Sequence, residues 1–118
     1  MRHARLLTVG LNCAFGADQL RPHVLQLSAI ADALVMIYPN AGLPNDLGEY
    51  DEHPHDTGVK IEDWAESGLI NVVGGCCGTT PAHIAAMAKA IAGKLPRKIA
   101  TAAVVTRLTG LDPMMIAA

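Results

Sequence analysis

Asn71–Pro81 reads NVVGGCCGTTP, and how this stretch is read decides the fold. An apolar run enters from Leu69 and ends in two glycines, two adjacent cysteines and a third glycine. Thr80-Pro81 then predicts a helix start, because threonine is a favoured N-cap and the fixed φ of proline suits the first helical position. Strand, glycine-rich turn and helix in that order make one βα unit. The two cysteines are not expected to bridge each other. A disulfide prefers Cα atoms about 5.5 Å apart, against about 3.8 Å for chain neighbours.

Two more such units lie upstream. Leu6–Leu11 (LLTVGL) is expected as a strand, followed by Asn12-Cys13 and a turn. A helix fits Asp18 to about Asp32, with Leu20, Val24, Leu27 and Ala31 on one face. Asp18 is the expected N-cap, and Pro22 is expected in the first turn. Ala33–Tyr38 (ALVMIY) is the second strand, and Pro39 opens a loop that runs to His55. A helix over about Asp56–Ser67 follows, with Ile61, Trp64 and Ala65 inward and Gly68 as its stop. Gly58 weakens that helix by roughly 1 kcal/mol relative to alanine. In the third unit Leu69–Val73 is the strand, and Ile84, Met87, Ala88 and Ile91 are the inner face of the last helix. The chain beyond it reads as a tail.

The fold class is therefore α/β, with parallel βα units. The strands are apolar throughout, which predicts burial on both faces. Right-handed crossovers between strands taken in order place all the helices on one side of the sheet. Nothing in three units covers the other side.

Composition narrows the function. The 118 residues are 51% hydrophobic and 17% charged, as in a globular domain. A net charge of −2, without a basic run, argues against nucleic acid. No apolar segment reaches the roughly 20 residues of a membrane span. The basic-then-apolar start, MRHARLLTVGLNCAFG, lacks a small-residue cleavage site, so a cytoplasmic location is expected. Three cysteines are an odd number, which favours a metal or a reactive thiol over a disulfide framework.

Every reactive cluster follows a strand: Asn12-Cys13, then Tyr38-Pro39-Asn40, then Cys76-Cys77. Parallel strands bring these to one edge, where α/β folds place their sites. Three thiolates at one point suit Zn²⁺ and leave one position open, as in catalytic zinc sites. Three thiolates on Zn²⁺ sum to −1, and a substrate thiolate in the fourth position brings −2. Such a centre is a poor Lewis acid, but it holds a thiol deprotonated and electron-rich. That is a device for alkylating a thiol. A redox role for Cys76-Cys77 lacks the C-x-x-C spacing and gives Cys13 nothing to do.

GLNC at Gly10–Cys13, YPNAGLPN at Tyr38–Asn45, GEYD at Gly48–Asp51 and GGCCGTTPAHI at Gly74–Ile84 together resemble the homocysteine-binding zinc module of cobalamin-dependent methionine synthases. Homocysteine methyltransferases that use betaine or S-methylmethionine share the three cysteines. RLTGLDP at Arg107–Pro113 resembles the lead into a folate-binding module and favours the first group. The resemblance implies a (β/α)₈ TIM barrel of which this chain carries the last three units, incomplete by itself. Residues 1–95 would be the partial homocysteine-binding barrel, and 96–118 a linker towards a folate-binding module. Cys13, Cys76 and Cys77 match the zinc ligands. Homocysteine would receive a methyl group from methylcobalamin, bound elsewhere, to give methionine. Partners would be the remaining barrel or other modules of the enzyme. The alternative is an inactive fragment that binds zinc weakly or self-associates.

Asn12 and Asn40 are candidates for orienting substrate, with loop capping as the competing role. His53 and His55 read as a solvated loop and His83 as exposed. Glu49 and Asp51 read as a solvated turn, because alkylating a metal-held thiolate leaves little proton transfer for them.

Overall fold

A computed structural model describes residues 2–101, 104–108 and 110–116. Its elements are β1 (Thr8–Gly16), α1 (Ala17–Ile30), β2 (Leu34–Asn40), α2 (Pro54–Glu66), β3 (Val72–Val73) and α3 (Pro81–Ile91). A short hairpin of β4 (Thr106–Leu108) and β5 (Met114–Ile116) follows, exposed on every residue. The sheet order is β1-β2-β3, all parallel, as the three βα units predict. The sheet is open rather than closed into a barrel, as expected of an incomplete set of units. Among the described residues no helix is long and apolar enough to cross a membrane.

One core lies between the sheet and the helices. Val35 and Ile37 of β2 meet Leu20 and Val24 of α1, Ile61 and Trp64 of α2, and Met87 of α3. Trp64, Ile61, Ile37, Val35 and Val24 are each almost wholly buried. Burying one such side chain stabilises the fold by roughly 1.5–3 kcal/mol. Gly58 has a positive use within α2. A Cβ there would lie 3.3 Å from the Cβ of Ala86, so the glycine lets α2 and α3 approach closely.

The strands are apolar on both faces but covered on one. Along β2, buried Val35, Ile37 and Pro39 alternate with half-buried Leu34, Met36 and Tyr38. Gly10 of β1 and Val72 of β3 lie in register with Met36 and continue the uncovered face. The burial of both faces expected from the apolar strands is thus corrected, and the face that three βα units leave uncovered is the one found bare among the described residues.

Several local expectations also shift. β1 starts and ends later than expected, and β3 pairs over only two residues. Leu69 and Ile70 join the core just before it. Gly16, not Asp18, is the N-cap of α1, and Pro22 sits inside the helix rather than in its first turn. α3 is rotated: His83 and Met87 are its buried residues, while Ile84 and Ile91 are exposed. The rotation follows from α3 packing on α2, which brings Ala86 against Gly58.

The segment after α3 begins with an anchor. Arg97 is 4% exposed and lies under the N-terminal ends of the strands. Its Nε donates to the carbonyl and hydroxyl of Ser28 (3.0 Å each), Nη1 to the Ala33 carbonyl (3.1 Å), and Nη2 to the carbonyls of Ser28 (2.8 Å) and Ala31. The side-chain amide of Asn71 donates to the Arg97 carbonyl (2.8 Å), and its oxygen accepts the Val35 N–H (2.9 Å). One guanidinium thereby satisfies carbonyls that the end of α1 leaves without helical partners. Burial pulls the Arg97 pKa down, but guanidinium starts so high that it stays charged.

Candidate metal centre

The site forms at the C-terminal ends of the strands. Pairing of β1 with β2 is regular to Asn12–Tyr38 and resumes only at Gly16–Asn40. Four residue steps on β1 therefore match two on β2, which makes a bulge. Within it Cys13 and Ala14 adopt left-handed backbone, at φ 59° and 63°. Each costs roughly 1–2 kcal/mol for a residue with a side chain. Strain of this kind gathers at functional sites, where surrounding contacts enforce it. Here it sets the Cys13 sulfur beside the backbone N–H of Ala14.

The other two sulfurs come from the turn after β3, which is tied to the end of β2. Gly74 N–H donates to the Ile37 carbonyl (3.1 Å), and Cys76 N–H to that of Pro39 (2.9 Å). Cys77 N–H donates to Asn40 Oδ1 (3.1 Å), and the Cys77 carbonyl accepts the Ala41 N–H (2.9 Å). Gly78 closes the turn at φ +77°, where an L side chain is strained. A Cβ there would come within 2.2 Å of the Cβ of Tyr50. Behind it Thr80 caps α3, and its N–H donates to His83 Nδ1 (3.2 Å). His83 Nε2–H donates in turn to the Glu52 carbonyl (2.7 Å). The Glu52 carboxylate accepts the Thr57 hydroxyl (2.7 Å) and pairs with Lys60, which also reaches Asp18 (2.8 Å). The loop carrying Tyr50 is thus strapped to all three helices.

The three sulfurs lie within 4.8 Å of one another. Cys13 to Cys77 is 3.6 Å and Cys76 to Cys77 is 4.0 Å, and all three thiols are free. A tetrahedral ion with bonds of about 2.3 Å has a ligand–ligand edge of about 3.8 Å. The donor set is all sulfur, which suits a thiophilic ion such as zinc. The residues therefore fit the metal expected from sequence. The Cys13 thiol is held below its usual range, first by the Ala14 N–H and then by hydrogen bonds from Cys76, Cys77 and the Asn40 amide. The Cys77 thiol is pushed up by sharing hydrogen bonds with Cys13 and Cys76, and by burial.

Of the asparagines proposed from sequence, Asn40 is buried and frames the cluster, while Asn12 is exposed at the end of the regular pairing. His83, read as exposed, is 5% exposed and structural. His53 and His55 are not among the metal-capable groups of the described residues. Sequence reasoning passed over Tyr50. Its side chain lies against Gly78, next to Cys77, and its phenol pKa is raised by burial and by the sulfurs of Cys77, Cys13 and Cys76. The GEYD stretch was the available signal, but only the close approach to Gly78 shows where it goes.

A parallel α/β sheet thus carries, at its strand ends, a cluster of three thiols that could hold a metal ion. Residues 1–91 match the family model described as homocysteine S-methyltransferase. The chain belongs to the homocysteine S-methyltransferase family, whose chemistry is methyl transfer to the sulfur of homocysteine.

Proposed function

We propose that this chain is the zinc-holding part of a homocysteine methyltransferase that takes its methyl group from methylcobalamin and yields methionine. The observation that carries this reading is the sulfur triangle, all within 4.8 Å, two of whose edges, 3.6 and 4.0 Å, are close to those of a tetrahedral zinc site. Cys13, Cys76 and Cys77 would hold the ion. Zinc, when bound, supplies a fourth position that keeps a thiol deprotonated without quenching its nucleophilicity. The chain's own residues do the rest. The β1 bulge aims Cys13. Asn40 holds the Cys77 backbone through its oxygen and turns its amide towards Cys13. Asn12, exposed at the same strand end, would meet the polar groups of the substrate. The cobalamin would be carried by another module, and a cytoplasmic location fits free thiols at the site.

The test is zinc content of the purified full chain by mass spectrometry of the metal. About one zinc per chain is expected, falling below a tenth in Cys76→Ser. Full occupancy in that variant would refute the assignment. A second reading is favoured by the sheet face of Leu34, Met36, Tyr38 and Val72, over which the described residues lay no second layer. In it the chain alone holds zinc weakly or self-associates, and turns over only when the rest of a barrel is supplied. Size exclusion across a concentration series separates the two, since a monomer active in methyl transfer rules the second out.

A further inference from the structure

We propose that the outer edge of β1 docks the β1 strand of a second copy of this chain, paired antiparallel about Gly10. The inference deepens the self-associating reading above and does not depend on zinc. It starts from the two edges of the sheet, which are unlike. β3 pairs over two residues only, a short edge that offers little to an added strand, whereas β1 keeps an unbroken register over residues 8–12. Natural edges are blunted by proline, by charge or by a bulge. Residues 7–15 read LTVGLNCAF, with neither charge nor proline, and the left-handed bulge begins only at Cys13.

The groups that β1 offers follow from its bonding to β2. The Leu34 N–H donates to the Leu7 carbonyl (3.1 Å). Backbone groups alternate in direction along a strand, so Val9 and Leu11 also turn theirs to β2. The N–H and C=O groups of Thr8, Gly10 and Asn12 then face outward. Among the described residues no strand takes them up.

Three outward residues spaced by two, with a glycine at the middle, complement themselves under a twofold axis. Gly10 exchanges both its bonds with Gly10 of the second copy, and Thr8 exchanges its own with Asn12. Val9 and Leu11 pack against the core, on the helix side. There Val9 of each copy stands opposite Leu11 of the other, an apolar cross-strand pair. Beside Val9 runs a groove of about 390 Å³, also lined by Leu6, Leu27 and Ile30, which gives the added strand an apolar surface to lie on. Ile30 is 64% exposed. Cys13 lies three residues from the axis, so the two cysteine clusters stand at opposite ends of the ladder, roughly 20 Å apart along it.

The test uses the full chain under reducing conditions, so that no interchain disulfide contributes. Sedimentation from about 10 μM to 1 mM is expected to show a monomer passing to a dimer. Amide exchange by NMR across the same series is expected to slow about three-fold or more at Thr8, Gly10 and Asn12. Thr8→Pro removes one outward N–H at the first residue of the strand, where an edge tolerates proline. It is expected to stay monomeric, with the circular dichroism spectrum of the wild type. A wild-type monomer at every concentration overturns the proposal, and so does a Thr8→Pro chain that dimerises as the wild type does. Association with exchange unchanged at the three amides, or slowed at Val72 instead, also overturns it, while leaving self-association through another surface standing. The exchange pattern is read on the wild-type chain and decides even where Thr8→Pro fails to fold.

Discussion

Replacing Arg97 with leucine should destabilise the chain by about 3–5 kcal/mol, although Arg97 lies at the opposite end of the strands from the cysteines. Its guanidinium serves the carbonyls of Ser28, Ala31 and Ala33, and the variant leaves all three without their charged donor. Hydrogen bonds to a charged group contribute about 1.5–3 kcal/mol each, and water recovers part of the loss. A chain of this length is stable by roughly 6–18 kcal/mol, so the loss is a large fraction of the whole. Urea unfolding of the full chain, followed by circular dichroism, measures it. Lys98→Leu, at the exposed residue next along the chain, serves as the control and should change stability by less than about 0.5 kcal/mol. Zinc content at low temperature should be unchanged in Arg97→Leu, because the site is built from the other strand ends. A loss below 1 kcal/mol would refute the claim that Arg97 closes the end of α1.

Three more outcomes follow from the same coordinates. Gly78→Ala should cost about 2–4 kcal/mol and weaken zinc binding at least ten-fold by competitive chelator titration, since a left-handed residue gains a Cβ 2.2 Å from Tyr50. His83→Ala should cost about 2–4 kcal/mol in urea unfolding, because the Thr80 N–H and the Glu52 carbonyl both lose their partner. Asp63, held below the usual carboxylate range by hydrogen bonds from Arg21, should show a small acid-sensitive contribution. Its native pKa is depressed, so the contribution is whole above the unfolded value of about 3.9 and is lost as pH falls through the native one. Both side chains are about half exposed, so Asp63→Asn should cost less than 1 kcal/mol near neutral pH, with the gap to wild type closing in acid.

The order of elements was legible because it rests on local signals. The apolar run at Leu34–Tyr38, the Thr80-Pro81 start and the Gly68 stop each act within a few residues. The cysteine cluster was legible because parallel strands share an edge, so residues far apart in sequence arrive together. What was not legible depends on packing between distant segments. Of the predicted inner face of α3, Met87 is buried but Ile84, Ala88 and Ile91 are exposed, since contact with α2 set the rotation. His83 read as exposed and Arg97 fell in the segment read as a tail, and each is buried with a partner more than 30 residues away. Left-handed backbone at Cys13 and Ala14 has no sequence signature, because neither is a residue type that favours it.

The placement of the cysteines has a mechanical consequence. Cys13 lies in the bulge near the end of β1, Cys76 and Cys77 follow β3, and β2 runs between them. An ion bound to all three sulfurs would fasten the two outer strands of the open sheet across the central one. It would join Cys13 to Cys77, 64 positions along the chain, as a covalent cross-link does. Tying a loop of that length removes roughly 4 kcal/mol of unfolded-chain entropy on the loop-closure model. A sheet with two free edges would thus be riveted at one end by its reaction centre and bolted at the other by Arg97.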